Sequence, residues 1–118
     1  FHSPQAPERI KSVLGDIPLV AIFRNPVDRS FSHFVHLRQY GFTSLPLRKA
    51  VDEYPEIIEA SKYARQLNRW MAFHSSSNII LLRHETMREN PDTFVRKLND
   101  FLNLPHVEVP KGLRGPVN

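Results

Sequence analysis

Arg24 lies between an apolar run and an Asn-Pro pair in the segment IFRNPVDRSFSHF. The residues before it, Leu19–Phe23, are all apolar and predict a strand covered on both faces, as in a parallel α/β sheet. Ligands of such sheets bind beyond the carboxyl ends of the strands, where a helix N-terminus presents unpaired N–H groups. A guanidinium at this place can bind two oxygens of one phosphate, a geometry that lysine lacks. Ser32, about two helical turns further on, could add a hydroxyl donor.

A purely structural interpretation of the same segment remains open. Asn25 is a strong N-cap, Pro26 suits the first helical position, and Asp28 could return a bond to the backbone N–H of Asn25 as in a capping box. Arg24 could then be a surface ion-pair partner of Asp28. Helix capping explains the Asn-Pro pair, but it does not require the arginine.

A second Asn-Pro block, RHETMRENPDTF, serves as an internal comparison. It predicts the same succession of strand, Asn-Pro pair and helix, with Glu89 in the place of Arg24 and Lys97 in the place of Ser32. Capping is expected at both blocks, whereas the arginine and the serine are found in only one. We therefore treat Arg24 and Ser32 as candidates for anion binding.

The composition favours an anionic ligand without identifying it. The 118 residues include 16 Lys and Arg against 12 Asp and Glu, which gives a formal charge of +4. A polyanion-binding module is the alternative that this surplus suggests, although the arginines are scattered among acidic residues and no nucleic-acid-recognition motif accompanies them. The arginines in question are Arg24, Arg29, Arg38, Arg65, Arg69, Arg83, Arg88, Arg96 and Arg114.

Other classes of site have little support in the sequence. The chain has no cysteine, which excludes disulfides, thiolate zinc sites and a cysteine nucleophile. His33 and His36 have the spacing of two ligands on one helix, but no carboxylate completes a recognised metal pattern, and we expect no metal. No apolar run is long enough for a membrane span, and the first residues lack a signal-peptide core.

The hydrophobic pattern predicts two strands separated by helices, which is typical of an α/β fold with parallel strands. Two strands alone make a poor sheet, so we expect partner strands from elsewhere in a larger domain. The predicted strands are Leu19–Phe23 and residues 79–82, and the predicted helices cover PERIKSVLGD, residues 25–41, SLPLRKAVDEYP, SKYARQLNRWMAFH and ENPDTFVRKLNDFLNLP.

RNPVDRSFSHF resembles the 3′-phosphate-binding segment of sulfotransferases that use 3′-phosphoadenosine 5′-phosphosulfate (PAPS), in which the Arg and the Ser eight residues later contact the 3′-phosphate. YARQLNRWMAF is similar to the Tyr-to-Trp helix of Golgi-type and bacterial members. NIILLRHETMRENP and FLNLP resemble the blocks that follow in the same order. The resemblance covers residues 1–105 and implies a P-loop-NTPase-like sulfotransferase fold, a parallel sheet flanked by helices.

The chain also departs from the family pattern. Asn103 replaces a Gly that is usual in FLNLP, and KGLRG only partly resembles the late Lys-Gly-Arg loop over the nucleotide. Nothing matches the Pro-Lys-x-Gly-Thr-Thr-like loop that holds the 5′-phosphosulfate, nor the catalytic Glu or His after it. We therefore expect residues 1–118 to be the C-terminal portion of a single sulfotransferase-like domain, with the catalytic residue unknown.

The resemblance implies an enzyme that moves a sulfuryl group from PAPS to an acceptor hydroxyl or amine, releases adenosine 3′,5′-bisphosphate and needs no metal. The implied nucleotide-binding residues are Arg24, Ser32 and Tyr63. Tyr63 would line the adenine or the acceptor side, although a Tyr at helical spacing with Leu67 also suits the core. Apart from the resemblance, His33 could border the acceptor pocket. Trp70 is expected in the core. An inactive relative acting as a nucleotide-binding, polyanion-binding or interaction module is the alternative. We expect no nucleic-acid partner. A cytoplasmic location would suit a bacterial-type member and the Golgi lumen an anchored one.

Overall fold

A computed structural model describes residues 3–110 and shows an α/β arrangement in that part of the chain. A 3₁₀ turn, Ser76–Asn78, leads into the second of two strands. The strands are β1 (Leu19–Phe23) and β2 (Ile79–Arg83), and the helices are α1 (Ala6–Leu14), α2 (Pro26–Gln39), α3 (Leu47–Glu53), α4 (Glu56–Glu59), α5 (Tyr63–Met71), α6 (His84–Glu89) and α7 (Pro91–Leu102). The KGLRG segment lies outside the described residues.

The two strands pair in parallel, as the sequence predicts. Their register joins Leu19 to Ile79 at one end and Phe23 to Arg83 at the other. Helices α2 to α5 form the crossover between them. Both strands therefore end at the same edge of the sheet, and Arg24 is the first residue beyond that edge.

The prediction that β1 is covered on both faces is wrong within residues 3–110. Ala21 and Leu82 are buried, but Val20 and Ile22 are 41% and 51% exposed, and Leu81 of β2 is 46% exposed. The described helices do not cover all of this small sheet, so apolar strand residues remain in contact with solvent.

The main apolar core lies beside the sheet, between helices. Phe34 and Leu37 of α2 pack with Ala50 of α3 and Ile57 of α4, all of them buried. Tyr54 packs against this core, and its hydroxyl donates a hydrogen bond to the carbonyl oxygen of Phe42 over 2.7 Å. Helix α2, which follows Arg24 directly, is thus held in place along its buried face.

Helix ends follow their sequence signals. α1 ends at Gly15, which has the left-handed φ of 69° that glycine tolerates best. α7 ends at Asn103 with φ 52° and ψ 39°, also left-handed. Asn is the residue after Gly that most readily adopts this conformation, which explains why Asn103 can replace the usual glycine of FLNLP.

The second Asn-Pro block does not repeat the first. Helix α6 lies between β2 and α7, so the residue directly beyond β2 is His84 and not Glu89. The short helix α4 was not predicted either. In both places the segment is too short to show a helical period, and only the fold places it in a helix.

Candidate functional site

Arg24 is half-buried and lines two adjoining concavities at the edge of the sheet. The first, which we call the strand-end concavity, measures about 390 Å³ and is lined by residues 23–26, Asp28, Tyr63, Arg83 and Glu85. The second, the β1-side concavity, measures about 410 Å³ and is lined by residues 20–24, Arg29, Ala60, Tyr63 and Gln66. The arginine is therefore at a recessed, partly shielded place and not on an open helix surface.

The N-terminus of α2 is capped as predicted, with one difference. The Asn25 Oδ1 accepts hydrogen bonds from the backbone N–H groups of Val27 (2.9 Å) and Asp28 (3.3 Å). The backbone N–H of Asn25 donates to Glu85 Oε1 over 2.6 Å, so the predicted capping-box bond from Asp28 is wrong. A residue 60 positions away along the chain takes that role.

Glu85 lies in the first turn of α6 and interacts with both strand ends. Besides the bond from Asn25, its Oε2 is 3.8 Å from Nε of Arg83, the last residue of β2. The pKa of Glu85 is lowered, chiefly because the Asn25 N–H donates to its carboxylate, with smaller contributions that include the charge of Arg83. Glu85 is therefore a carboxylate at neutral pH.

Tyr63, the first residue of α5, lies next to Arg24. Its ring stacks on Phe23 with centroids 4.4 Å apart and planes inclined by 12°. It lines both concavities that Arg24 lines. The structure thus brings two of the three predicted nucleotide-binding residues together, and an aromatic ring beside a cation suits a base attached to a phosphate.

Ser32 and His33 lie elsewhere on α2. Ser32 is exposed and is not among the residues that line the two concavities. His33 is half-buried against Glu56 and Arg29, and its pKa is lowered mainly by burial and secondly by the charge of Arg29. The charge of Glu56 and, to a smaller extent, a hydrogen bond with its backbone oppose this lowering of the pKa. The roles of Ser32 at the 3′-phosphate and of His33 at the acceptor stay predictions.

Two polar contacts that sequence reasoning missed hold α2 against its neighbours. Nη1 of Arg29 is 3.4 Å from the carbonyl oxygens of both Glu56 and Ile57. The hydroxyls of Ser30 and Ser61 are 2.8 Å apart, and Ser30 is buried. A serine on the buried side of an amphipathic helix was the available signal, but nothing in the sequence identified its partner.

The described residues give no indication of a metal site or a membrane span. Between residues 3 and 110, no three His, Cys, Asp or Glu side chains come together in a way that could hold a metal ion. In the same part of the chain, no helix combines the length and the apolar character that crossing a bilayer requires. Trp70 is buried, as expected.

The parallel strands, the capped helix and the recessed arginine beside an aromatic ring define an α/β protein with a candidate phosphate-binding site. The sequence model of the family described as "Sulfotransferase domain" matches residues 2–112, and the chain belongs to this family. A solved sulfotransferase from Alicyclobacillus acidocaldarius has a similar fold, with a TM-score of 0.75 over 94% of this chain and 52% of that chain, at 22% identity. The sulfotransferase fold predicted from the sequence is thus confirmed.

Curated relatives include mammalian enzymes of heparan sulfate modification. The chain is 25% identical to the mouse bifunctional heparan sulfate N-deacetylase/N-sulfotransferase 4 over 96% of its own length and 15% of the relative. It is 27% identical to the human heparan sulfate glucosamine 3-O-sulfotransferase 6 over 94% of its length and 35% of the relative. The chain therefore spans between about a seventh and a third of the length of these relatives.

Proposed function

We propose that this protein transfers a sulfuryl group from PAPS to an acceptor hydroxyl or amine, and that the segment described above supplies the 3′-phosphate-binding part of the nucleotide site. Membership of the sulfotransferase family supports the reaction type. The observation that carries the assignment of the site is the position of Arg24, directly beyond β1, beside Tyr63 and at the capped N-terminus of α2.

The donor set fits a phosphorylated nucleoside. Arg24 offers a planar cation for two phosphate oxygens, and the first turn of α2 adds its positive partial charge. The Tyr63 ring, backed by Phe23, offers a face for a base. Ser32 would complete the set if the phosphate extends along the flank of α2.

In the proposed reaction, the acceptor oxygen or nitrogen attacks sulfur in line with the bridging oxygen of PAPS. The new bond to sulfur forms as the bond to the bridging oxygen breaks, the acceptor proton passes to a general base, and adenosine 3′,5′-bisphosphate leaves. Arg24 does not touch sulfur in this scheme. It anchors the remote 3′-phosphate, so that binding energy gained away from the reaction holds the sulfuryl group in line.

The acceptor is proposed only as a chemical class. The names of the relatives include an N-sulfotransferase and a 3-O-sulfotransferase, which act on an amine and a hydroxyl of heparan sulfate respectively. We extend to this protein only the shared requirement for a nucleophilic amine or hydroxyl. His33 remains our candidate for a residue on the acceptor side.

Calorimetric titration with adenosine 3′,5′-bisphosphate and with adenosine 5′-monophosphate tests the 3′-phosphate site. The wild-type protein should bind the bisphosphate more tightly, and Arg24→Ala should remove most of this preference. Loss of a charge-assisted contact of about 2 kcal/mol corresponds to roughly 30-fold weaker binding. Arg48→Ala, which removes the same charge from an exposed position on α3 outside both concavities, should retain wild-type selectivity.

Two results would contradict the proposal. If the folded wild-type protein binds the two nucleotides with equal affinity, the site does not recognise the 3′-phosphate. Equal weakening by Arg24→Ala and Arg48→Ala, together with a steep dependence on salt, would instead indicate a general polyanion-binding surface.

A further inference from the structure

Glu85 joins the two strand ends of the candidate site through its two carboxylate oxygens. Oε1 accepts the backbone N–H of Asn25 over 2.6 Å, and Oε2 lies 3.8 Å from Nε of Arg83. Both partners line the strand-end concavity together with Arg24. Sequence reasoning assigned no role to this carboxylate, because its partner beyond β1 is a backbone group, the N–H of Asn25.

The bond to Asn25 bears directly on Arg24. The N–H of Asn25 belongs to the peptide unit that begins with the carbonyl of Arg24, and a peptide unit is planar. Fixing the direction of this N–H therefore fixes the orientation of the backbone on the carboxyl side of Arg24. Because the acceptor is charged, the bond is shorter and stronger than one between neutral groups.

We propose that Glu85 is a positioning residue for the 3′-phosphate site: it orients the junction between β1 and α2 so that the Arg24 guanidinium faces the strand-end concavity. This inference rests on the proposed function. Glu85 acts through the backbone of Asn25 and does not itself contact the nucleotide, since a carboxylate repels a phosphate.

Because of this repulsion, a role of Glu85 through its charge and a role in positioning Arg24 predict opposite effects of removing the side chain. If Glu85 acted only through its charge, its removal would strengthen nucleotide binding, and Glu85→Ala and Glu85→Gln would have the same effect. If Glu85 positions Arg24, then Glu85→Ala should weaken binding despite the loss of a negative charge. Glu85→Gln keeps an oxygen that can accept the Asn25 N–H. This variant should therefore bind the nucleotide with an affinity close to or above that of the wild type.

The experiment is calorimetric titration of the wild-type protein and of the Glu85→Ala, Glu85→Gln and Glu89→Ala variants with the bisphosphate and the monophosphate of adenosine. We expect Glu85→Ala to lower the ratio of the two affinities about tenfold, roughly two-thirds of the energetic effect of a lost charge-assisted contact. Glu89→Ala, on the same helix and exposed, should leave the ratio unchanged. Thermal unfolding of each variant accompanies the titrations.

The outcomes separate this inference from the proposed function. A wild-type protein without 3′-phosphate preference overturns both. If the wild type prefers the bisphosphate and Glu85→Ala keeps this preference, only the positioning role is overturned. A merely structural role would lower the affinity for both nucleotides equally and leave their ratio unchanged, which also overturns it. If Glu85→Ala does not fold, Glu85→Gln with a tenfold loss of selectivity still contradicts the proposal, because that variant preserves the acceptor.

Discussion

The two asparagine caps offer a matched pair of perturbations. Asn25 caps α2 beside the candidate site, and Asn90 caps α7, where its Oδ1 accepts the backbone N–H of Thr93 over 3.0 Å. Both caps are followed by a proline at the start of the helix. Substitution of either asparagine by alanine therefore removes the same kind of interaction, once inside the strand-end concavity and once outside it.

We expect the two alanine variants to have similar stability and different nucleotide binding. Loss of an N-cap side chain costs about 1 kcal/mol of unfolding free energy, or about 4 °C in midpoint temperature for a chain of this size. Asn25 accepts from two N–H groups, so Asn25→Ala should be at the upper end of that effect. An anion at a well-formed helix N-terminus gains up to about 1 kcal/mol, so fraying of α2 should weaken bisphosphate binding by up to about fivefold.

Urea unfolding followed by circular dichroism, together with the nucleotide titration, measures both effects. The expected result is a comparable loss of stability in the two variants and a loss of bisphosphate affinity in Asn25→Ala alone. Equal weakening of binding by Asn90→Ala would refute the reasoning, since it would mean that general destabilisation, and not the N-terminus of α2, controls the site. An unchanged stability of Asn25→Ala would show that its cap does not stabilise α2.

Two further predictions concern Tyr63 and Glu85. Tyr63→Leu should weaken adenosine bisphosphate binding about tenfold by removing a ring that can stack on the base, whereas Tyr63→Phe should bind within about threefold of the wild type, as measured by the same titration. A loss in both variants would assign the effect to the hydroxyl. Because its pKa is lowered in the folded state, Glu85 stabilises the fold above the ordinary carboxylate pKa, and this contribution disappears as pH falls through the folded pKa. The stability difference between wild type and Glu85→Gln should therefore shrink in urea unfolding as pH falls below the ordinary glutamate pKa and through the lower pKa of the folded state, and a constant difference would exclude Glu85 as its source.

Local signals were sufficient to predict much of the fold. The apolar run of β1, the Asn-Pro start of α2 and the glycine after α1 each act over a few neighbouring residues, and each was confirmed. The parallel pairing of β1 with β2 was also predictable, because a strand, a helical crossover and a second strand have few other ways to pack. The position of Arg24 directly beyond a strand was predicted by the same local reasoning, whereas its role in binding stays a prediction.

Contacts between distant residues were not predictable. The capping-box bond expected from Asp28 is locally reasonable, yet Glu85 provides a competing acceptor for the same N–H. Likewise, Arg29 could have been a solvated side chain of α2, but it lies near two carbonyl oxygens of α4. Such choices depend on which elements the fold brings together, and a single sequence contains no direct signal for them.

The two strand ends have complementary roles at the candidate site. β1 leads through Arg24 into a 14-residue helix with a capped N-terminus, while β2 leads directly into six-residue α6, which has no side-chain cap. The first turn of α6 places the carboxylate of Glu85 at the same edge of the sheet, where its charge alone would repel an anion. Its two oxygens, however, face the N–H of Asn25 and the guanidinium of Arg83, which offset that charge. Under the two proposals, Arg24 and the N-terminus of α2 attract the phosphate, and Glu85, whose charge alone would oppose anion binding, holds the arginine in place.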